Sequence, residues 1–145
     1  MAARDIYHNA VRKALEDEGW TITNDPLTLS IGLRSLYVDL GAEKVLIATK
    51  NNQRIAVEVK SFVGHSTMSE LQKAIGQYML YDEALLESPT EADRRLYLAI
   101  PEDVIEELAD DKILSILTNR FHINLLVYNP IKQSIVRWIQ QDTTS

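Results

Sequence analysis

This 145-residue sequence predicts an α/β fold: a single domain built on a mixed sheet with helices on both faces. The first observation behind it is the order of elements, which runs helix, antiparallel strands, helix, strand, helix, strand, strand. The second is a pair of continuous apolar runs, Leu96 to Ile100 and Ile123 to Tyr128, which read as strands buried on both faces. The third is length. One domain of this size buries roughly 68–70% of its unfolded surface, and neither a linker nor an internal repeat divides residues 1–145.

The elements follow in order. From Asp5 to Gly19, apolar residues at Ile6, Ala10, Val11, Ala14 and Leu15 make an amphipathic helix that Gly19 stops. Trp20 to Thr23 alternates and is β-branched, so it is a short strand; Asn24-Asp25-Pro26 is a turn. Leu27 to Ile31 is a further extended piece that Gly32 breaks. Leu36 to Leu40 and Val45 to Thr49 form one strand or two, interrupted near Gly41-Ala42. Lys50 to Gln53 is a polar turn, and Ile55 to Phe62 the returning strand, with Ile55, Val57 and Val59 on one face and Ala56, Glu58 and Lys60 on the other.

After a loop from Val63 to Ser66, Thr67-Met68-Ser69-Glu70 is a capping box. Its helix runs to about Leu86, with Leu71, Ala74, Ile75, Tyr78, Met79 and Leu85 facing the core. Pro101-Glu102-Asp103 opens another helix, with acids where the helix dipole favours them. Asn129-Pro130 is a turn, Ile135 to Ile139 a last strand, and Asp142 to Ser145 a frayed tail.

Composition narrows the function classes. There is no cysteine, which excludes disulfides and thiolate metal sites and fits a cytoplasmic protein. No leader with an apolar h-region is expected, and no apolar run approaches the length of a membrane span. The net charge of −6 argues against a generic nucleic-acid binder, but it is unevenly placed. Residues 1–81 hold nine basic and nine acidic side chains, whereas residues 82–145 hold six and twelve. A polyanion would approach the first half, with an acidic back face turned away.

The candidate site lies between Val38 and Tyr81. Glu58 and Lys60 sit two apart on a strand and share a face, and Asp39 lies on the preceding strand. A hairpin centred near 49–50 places Asp39 opposite Lys60. Because the turn composition centres nearer 51–52, that register needs a bulge near Gly41. Asp39 and Glu58 can then share Mg²⁺ or Mn²⁺, with the Val59 carbonyl as a third protein oxygen and Lys60 beside the reacting phosphate. A plain Lys60–Asp39 ion pair would also satisfy charges buried in so apolar a strand.

Gln77 and Tyr81 are one helical turn apart and able to bond a nucleotide or a bound water; they also fit an ordinary boundary pair. The histidines, His8, His65 and His122, lack zinc spacing. His65 follows Lys60 in a loop and is placed to reach substrate, whereas His122 caps a strand. No Gly-rich phosphate loop, nucleophile elbow or dinucleotide fingerprint is present.

Asp39, Glu58-x-Lys60 and Gln77-x-x-x-Tyr81, in that order after an N-terminal helix, resemble the PD-(D/E)XK nuclease superfamily, and the Gln-x-x-x-Tyr element resembles its RecB-type branch. More specifically, several motifs are similar to the XisH family, the fdxN-element excision controlling factors of cyanobacteria. They are Arg4 to His8, Gly19-Trp20-x-Ile22-Thr23-x-Asp25-Pro26, Val38 to Lys44, Ile55 to Phe62, Gly76-Gln77-Tyr78 and Leu96 to Ala99. The resemblance covers nearly the whole chain.

It implies a restriction-endonuclease-like fold, a homo-oligomer, and a part in programmed DNA excision beside an XisI companion and a site-specific recombinase. It also implies Asp39 and Glu58 as metal ligands, Lys60 as the catalytic lysine, and Gln77 and Tyr81 as supporting residues. Two departures stand out. Val38 replaces the proline usually written before the Asp, and His8 occupies the place where Holliday-junction resolvases carry a helix Glu, while Glu16 and Glu18 fall late in the helix. The missing acid leaves two expectations: a metal-dependent endonuclease-like factor, or a non-cleaving accessory protein that keeps the fold.

Overall fold

The computed structural model describes residues 3–46, 51–64 and 66–141. The expectations for Ile47 to Lys50, for His65 and for the tail from Asp142 lie outside the described residues.

Helix α1 (Ala3–Asp17) buries Ala10, Val11, Ala14 and Leu15. Gly19 ends it at φ +92°, with the Gly19 amide donating to Glu16 and the Trp20 amide to Leu15. Both bonds satisfy helix carbonyls that would otherwise be orphaned, and only glycine adopts that φ cheaply. Strand β1 (Thr21–Asn24) follows. Strands β2 (Leu27–Ile31) and β3 (Arg34–Val38) then form a separate two-stranded ribbon, turning at Gly32.

The main sheet has the order β1-β4-β5-β6-β7-β8. Its further strands are β4 (Leu40–Leu46), β5 (Asn51–Val59), β6 (Arg95–Pro101), β7 (Leu125–Asn129) and β8 (Ser134–Ile139). Pairs β5·β6 and β6·β7 are parallel and the rest antiparallel, so the expected mixed sheet is what forms. Helix α2 (Thr67–Glu87) makes the first parallel crossover; α3 (Glu102–Ala109), α4 (Ile113–Ser115) and a π-helical turn (Ile116–Arg120) make the second.

Two cores result. On one face α1 sets Val11 and Leu15 against Val57, Tyr97, Leu126 and Tyr128. On the other, α2, α3 and the ribbon cover Ala56, Leu98, Ile100 and Val127. Strands β6 and β7 are apolar on both sides because both sides are covered.

Several local expectations are corrected. The strand break falls at Asp39, not Gly41-Ala42, because Asp39 is where the chain leaves the ribbon and enters the main sheet. Gly41 lies inside β4, where an added Cβ would come within 2.9 Å of Asn24 Oδ1 and 3.2 Å of Arg94 Nη1. Asn51 to Gln53 belong to β5, paired with Lys44 to Leu46; ladder pairing overrides their turn propensity.

The cap of α2 is Ser66, whose hydroxyl accepts from the Ser69 amide, while Thr67 donates to Glu107 instead. Met79 is exposed, and Tyr81 and Ala84 take the core positions. His122 forms an exposed corner at φ +56°, so β7 begins only at Leu125.

Candidate functional site

The seam at Asp39 builds the site. Ladder β4·β5 runs without interruption from Leu40↔Val57 to Leu46↔Asn51, so Asp39 faces Glu58, not Lys60. The expected bulge is absent from this ladder. The irregularity near Gly41 lies on the β1 side, between Ile22 and Asn24. Residues facing each other across an antiparallel pair project from the same face, which brings the two carboxylates together.

They are interlocked. The Asp39 amide donates to Glu58 Oε1 at 3.2 Å, and the Val59 amide donates to Asp39 Oδ2 at 2.8 Å. Each carboxylate thus has one oxygen fixed by backbone. Glu58 Oε2 lies 3.6 Å from Lys60 Nζ, and Asp39 Oδ1 lies 3.8 Å from His8 Nδ1. Since amide and carbonyl of a strand residue point to the same edge, the Val59 carbonyl faces the Asp39 side. The Lys60 backbone is held by its amide bond to Ala99 and by Tyr128, whose hydroxyl donates to the Lys60 carbonyl at 2.9 Å.

Both carboxyl residues are nearly closed to solvent, Asp39 at 7% and Glu58 at 5% exposure. Burial, and then the negative charge of Asp39, push the Glu58 carboxyl up to about 8, while Lys60 pulls the other way. Two carboxylates this close cannot both ionise cheaply, so the pair holds a proton near neutrality.

The pair opens into a polar cavity of about 260 Å³. Gln77 and Tyr81 of α2 line it as expected, and so do Val59 and Lys60. Gln77 Oε1 is buried there with no hydrogen-bond partner among the described residues. All five side chains singled out from the sequence, Asp39, Glu58, Lys60, Gln77 and Tyr81, therefore meet around one cavity.

Other wall residues escaped the sequence reading. Tyr37 sits two residues before Asp39 and so shares its face of the chain, a period-two signal that could have revealed it. Tyr7 and His8 come from α1, and Glu70 from the first turn of α2. His8 is the informative one. Its Nε2 lies 2.8 Å from Asp25 Oδ1, and Asp25 is held in turn by Arg12 at 2.6 Å. A carboxylate only accepts, so Nε2 donates to Asp25, which fixes the ring with Nδ1 on the Asp39 side.

A hard divalent cation fits this chemistry. The donors are two carboxylates and a backbone carbonyl, and a cation between the carboxylates would relieve the repulsion that lifts Glu58. Neighbouring donors of an octahedral shell stand about 3 Å apart, so His8 Nδ1, at 3.8 Å from Asp39 Oδ1, would need a small inward shift to join. Among the described residues no group of three His, Asp or Glu side chains is already gathered at ligand distance, so the protein oxygens come first.

Comparison with protein families matches the chain to a model described as XisH protein over residues 1–136. The chain belongs to the XisH family. Two solved structures are similar to this XisH-family chain, each covering 94% of it and 100% of its own length, with a TM-score of 0.83. One is an XisH family protein from Nostoc punctiforme PCC 73102 at 35% identity. The other, at 37% identity, is described as an fdxN element excision controlling factor protein from Anabaena variabilis. A comparison with curated proteins returned no match. Among the described residues of this XisH-family chain, no helix is long and apolar enough to cross a membrane.

Proposed function

We propose that this XisH-family chain carries a metal-dependent endonuclease-like site of the PD-(D/E)XK kind and acts on DNA in the excision of a DNA element. The observation that carries the chemistry is the interlock of Asp39 and Glu58 with Lys60 3.6 Å away at the wall of a polar cavity. The excision role draws on the Anabaena variabilis relative, which is described as an excision controlling factor.

When bound, Mg²⁺ or Mn²⁺ would polarise a phosphate oxygen and acidify a coordinated water. Asp39, Glu58 and the Val59 carbonyl are the residues to hold it, with His8 Nδ1 joining from α1. Lys60, released from Glu58 once that carboxylate has a stronger partner, would donate to the non-bridging phosphate oxygen where charge develops. Gln77 lines the cavity and its buried Oε1 has no partner among the described residues, so a rotation of its side chain would let that oxygen accept from the attacking water and orient it; Tyr81 would pack that wall.

The test is nicking of supercoiled, branched and single-stranded DNA in Mg²⁺ or Mn²⁺. Wild type should nick at least one substrate, and Asp39→Ala, Glu58→Ala and Lys60→Met should each abolish nicking. Wild-type protein that cuts none of them, even with an XisI-like companion present, would sink the enzyme reading.

The net charge of −6 favours a second reading, a non-cleaving accessory protein that works through contacts with an XisI-like companion and a site-specific recombinase. Excision restored in cells by Asp39→Ala as well as by wild type would select it.

A further inference from the structure

We infer that the β2–β3 ribbon is a DNA-engaging arm, with Leu33 at its tip inserted between base pairs and Arg34 on the phosphate backbone. This rests on the reading of the Asp39–Glu58 cavity as a place where DNA is handled. Three observations carry it.

One side of the ribbon faces outward among the described residues. Leu27, Leu29 and Val38 are buried against α2, whereas Thr28, Ser30, Ser35 and Tyr37 face outward, paired across the ribbon as Thr28↔Tyr37 and Ser30↔Ser35. Hydroxyl groups on a two-stranded ribbon are donors of the kind that position a duplex backbone, and such a ribbon is narrow enough to enter a major groove.

Its charge is unlike the rest of the molecule. In a chain of net charge −6, residues 27–38 contain no acid and one base, Arg34. Glu87 and Glu91 share a groove with Thr28 and Ser30 on the β2 side, and Asp25 and Asp39 flank the base of the ribbon. A polyanion is therefore turned away from β2 and admitted toward the tip of β3, where Arg34 stands.

The ribbon is also continuous with the site. Tyr37, 57% exposed, lines the cavity, and Asp39 is two residues further on. At the other end Leu33 is fully exposed at the turn, directly beside Gly32. An apolar side chain wholly in water, next to a base, is the arrangement with which architectural proteins wedge between base steps. Leu33 and Asp39 stand six residue steps apart, across the five residues of β3, a span of about 20 Å. That equals about six base pairs at 3.4 Å each. The substrate class is thus duplex DNA flanking the cleaved phosphate, unstacked at one step away from it.

The experiment uses the full chain with short labelled duplexes in which 2-aminopurine is scanned along one strand, in Ca²⁺ so that no cutting intervenes. Wild type should bind by anisotropy and raise 2-aminopurine emission about six base pairs from the position it nicks in Mn²⁺. Leu33→Ser, whose side chain supports nothing in the fold, should lose the emission rise and keep binding. Arg34→Gln should lower the slope of log affinity against log salt by about one.

If both variants match wild type in emission and slope, or wild type binds no duplex, the arm assignment is overturned. Ribbon-dependent binding without nicking would keep the arm and remove the nuclease reading. Nicking that ignores both substitutions would do the reverse.

Discussion

Glu58 should make metal binding and folding respond to pH in opposite directions. Its carboxyl is raised from an ordinary 4.5 to about 8 by burial and by Asp39. Below about 4.5 it is protonated whether the chain is folded or not, and its ionisation contributes nothing to the balance. Between there and about 8 the folded chain keeps a proton that the unfolded chain has released, so stability of the metal-free protein falls as pH rises; above 8 the whole penalty is present.

At about 1.4 kcal/mol per pH unit the penalty reaches at most about 5 kcal/mol. A metal must displace that proton, so Mn²⁺ affinity should rise about tenfold per pH unit up to about pH 8 and then level. Calorimetry in buffers of different ionisation enthalpy should find close to one proton released per Mn²⁺ at pH 6.5, and few at pH 9. Urea melts should show Glu58→Gln flattening the pH dependence, stabilising the metal-free chain at pH 8 and losing Mn²⁺. Affinity that is flat with pH and releases no proton, or a Glu58→Gln chain no more stable than wild type at pH 8, would refute the reasoning.

Other consequences follow from particular contacts. Asp25→Ala removes the acceptor that fixes His8, and should weaken Mn²⁺ binding by about 10–100-fold without altering the urea midpoint by more than a surface change would. Gly19→Ala forces a side chain into φ +92° and should cost about 1 kcal/mol in urea unfolding. Arg94 is buried and bridges β1, β4 and β5 through Asn24, the Ala42 carbonyl and the Ile55 carbonyl. Arg94→Leu strands those acceptors and should destabilise the fold by about 3–5 kcal/mol, read by the same assay.

The sheet was legible where burial leaves a one-dimensional trace. Leu96 to Ile100 is apolar without a break because both faces of β6 are covered, and α1 showed its periodicity and its glycine stop. Register was not legible. Facing pairs are decided by where backbone pairing changes hands, and nothing in the side chains around Asp39 says that β3 pairs with β2 while β4 pairs with β1 and β5. Adjacent hydroxyls hid the α2 cap, since Ser66 and Thr67 are equally able to serve and only the backbone turn selects Ser66. The helical stretch Ile113–Ser115 and the turn after it went unassigned, being too short for periodicity to speak.

Of the site, the carboxylate pair, Lys60, Gln77 and Tyr81 could be named from order and spacing. His8 could be seen as a departure but not as a wall of the cavity, because its orienting partner Asp25 is 17 residues away.

The measurement that bears most directly on the account is anomalous diffraction from crystals soaked in Mn²⁺. The account predicts a peak between the Asp39 and Glu58 carboxylates, within about 2–2.3 Å of an oxygen of each, with Lys60 Nζ moved off Glu58. Density that shows no ion there, with Lys60 still on Glu58 at saturating Mn²⁺, would contradict it.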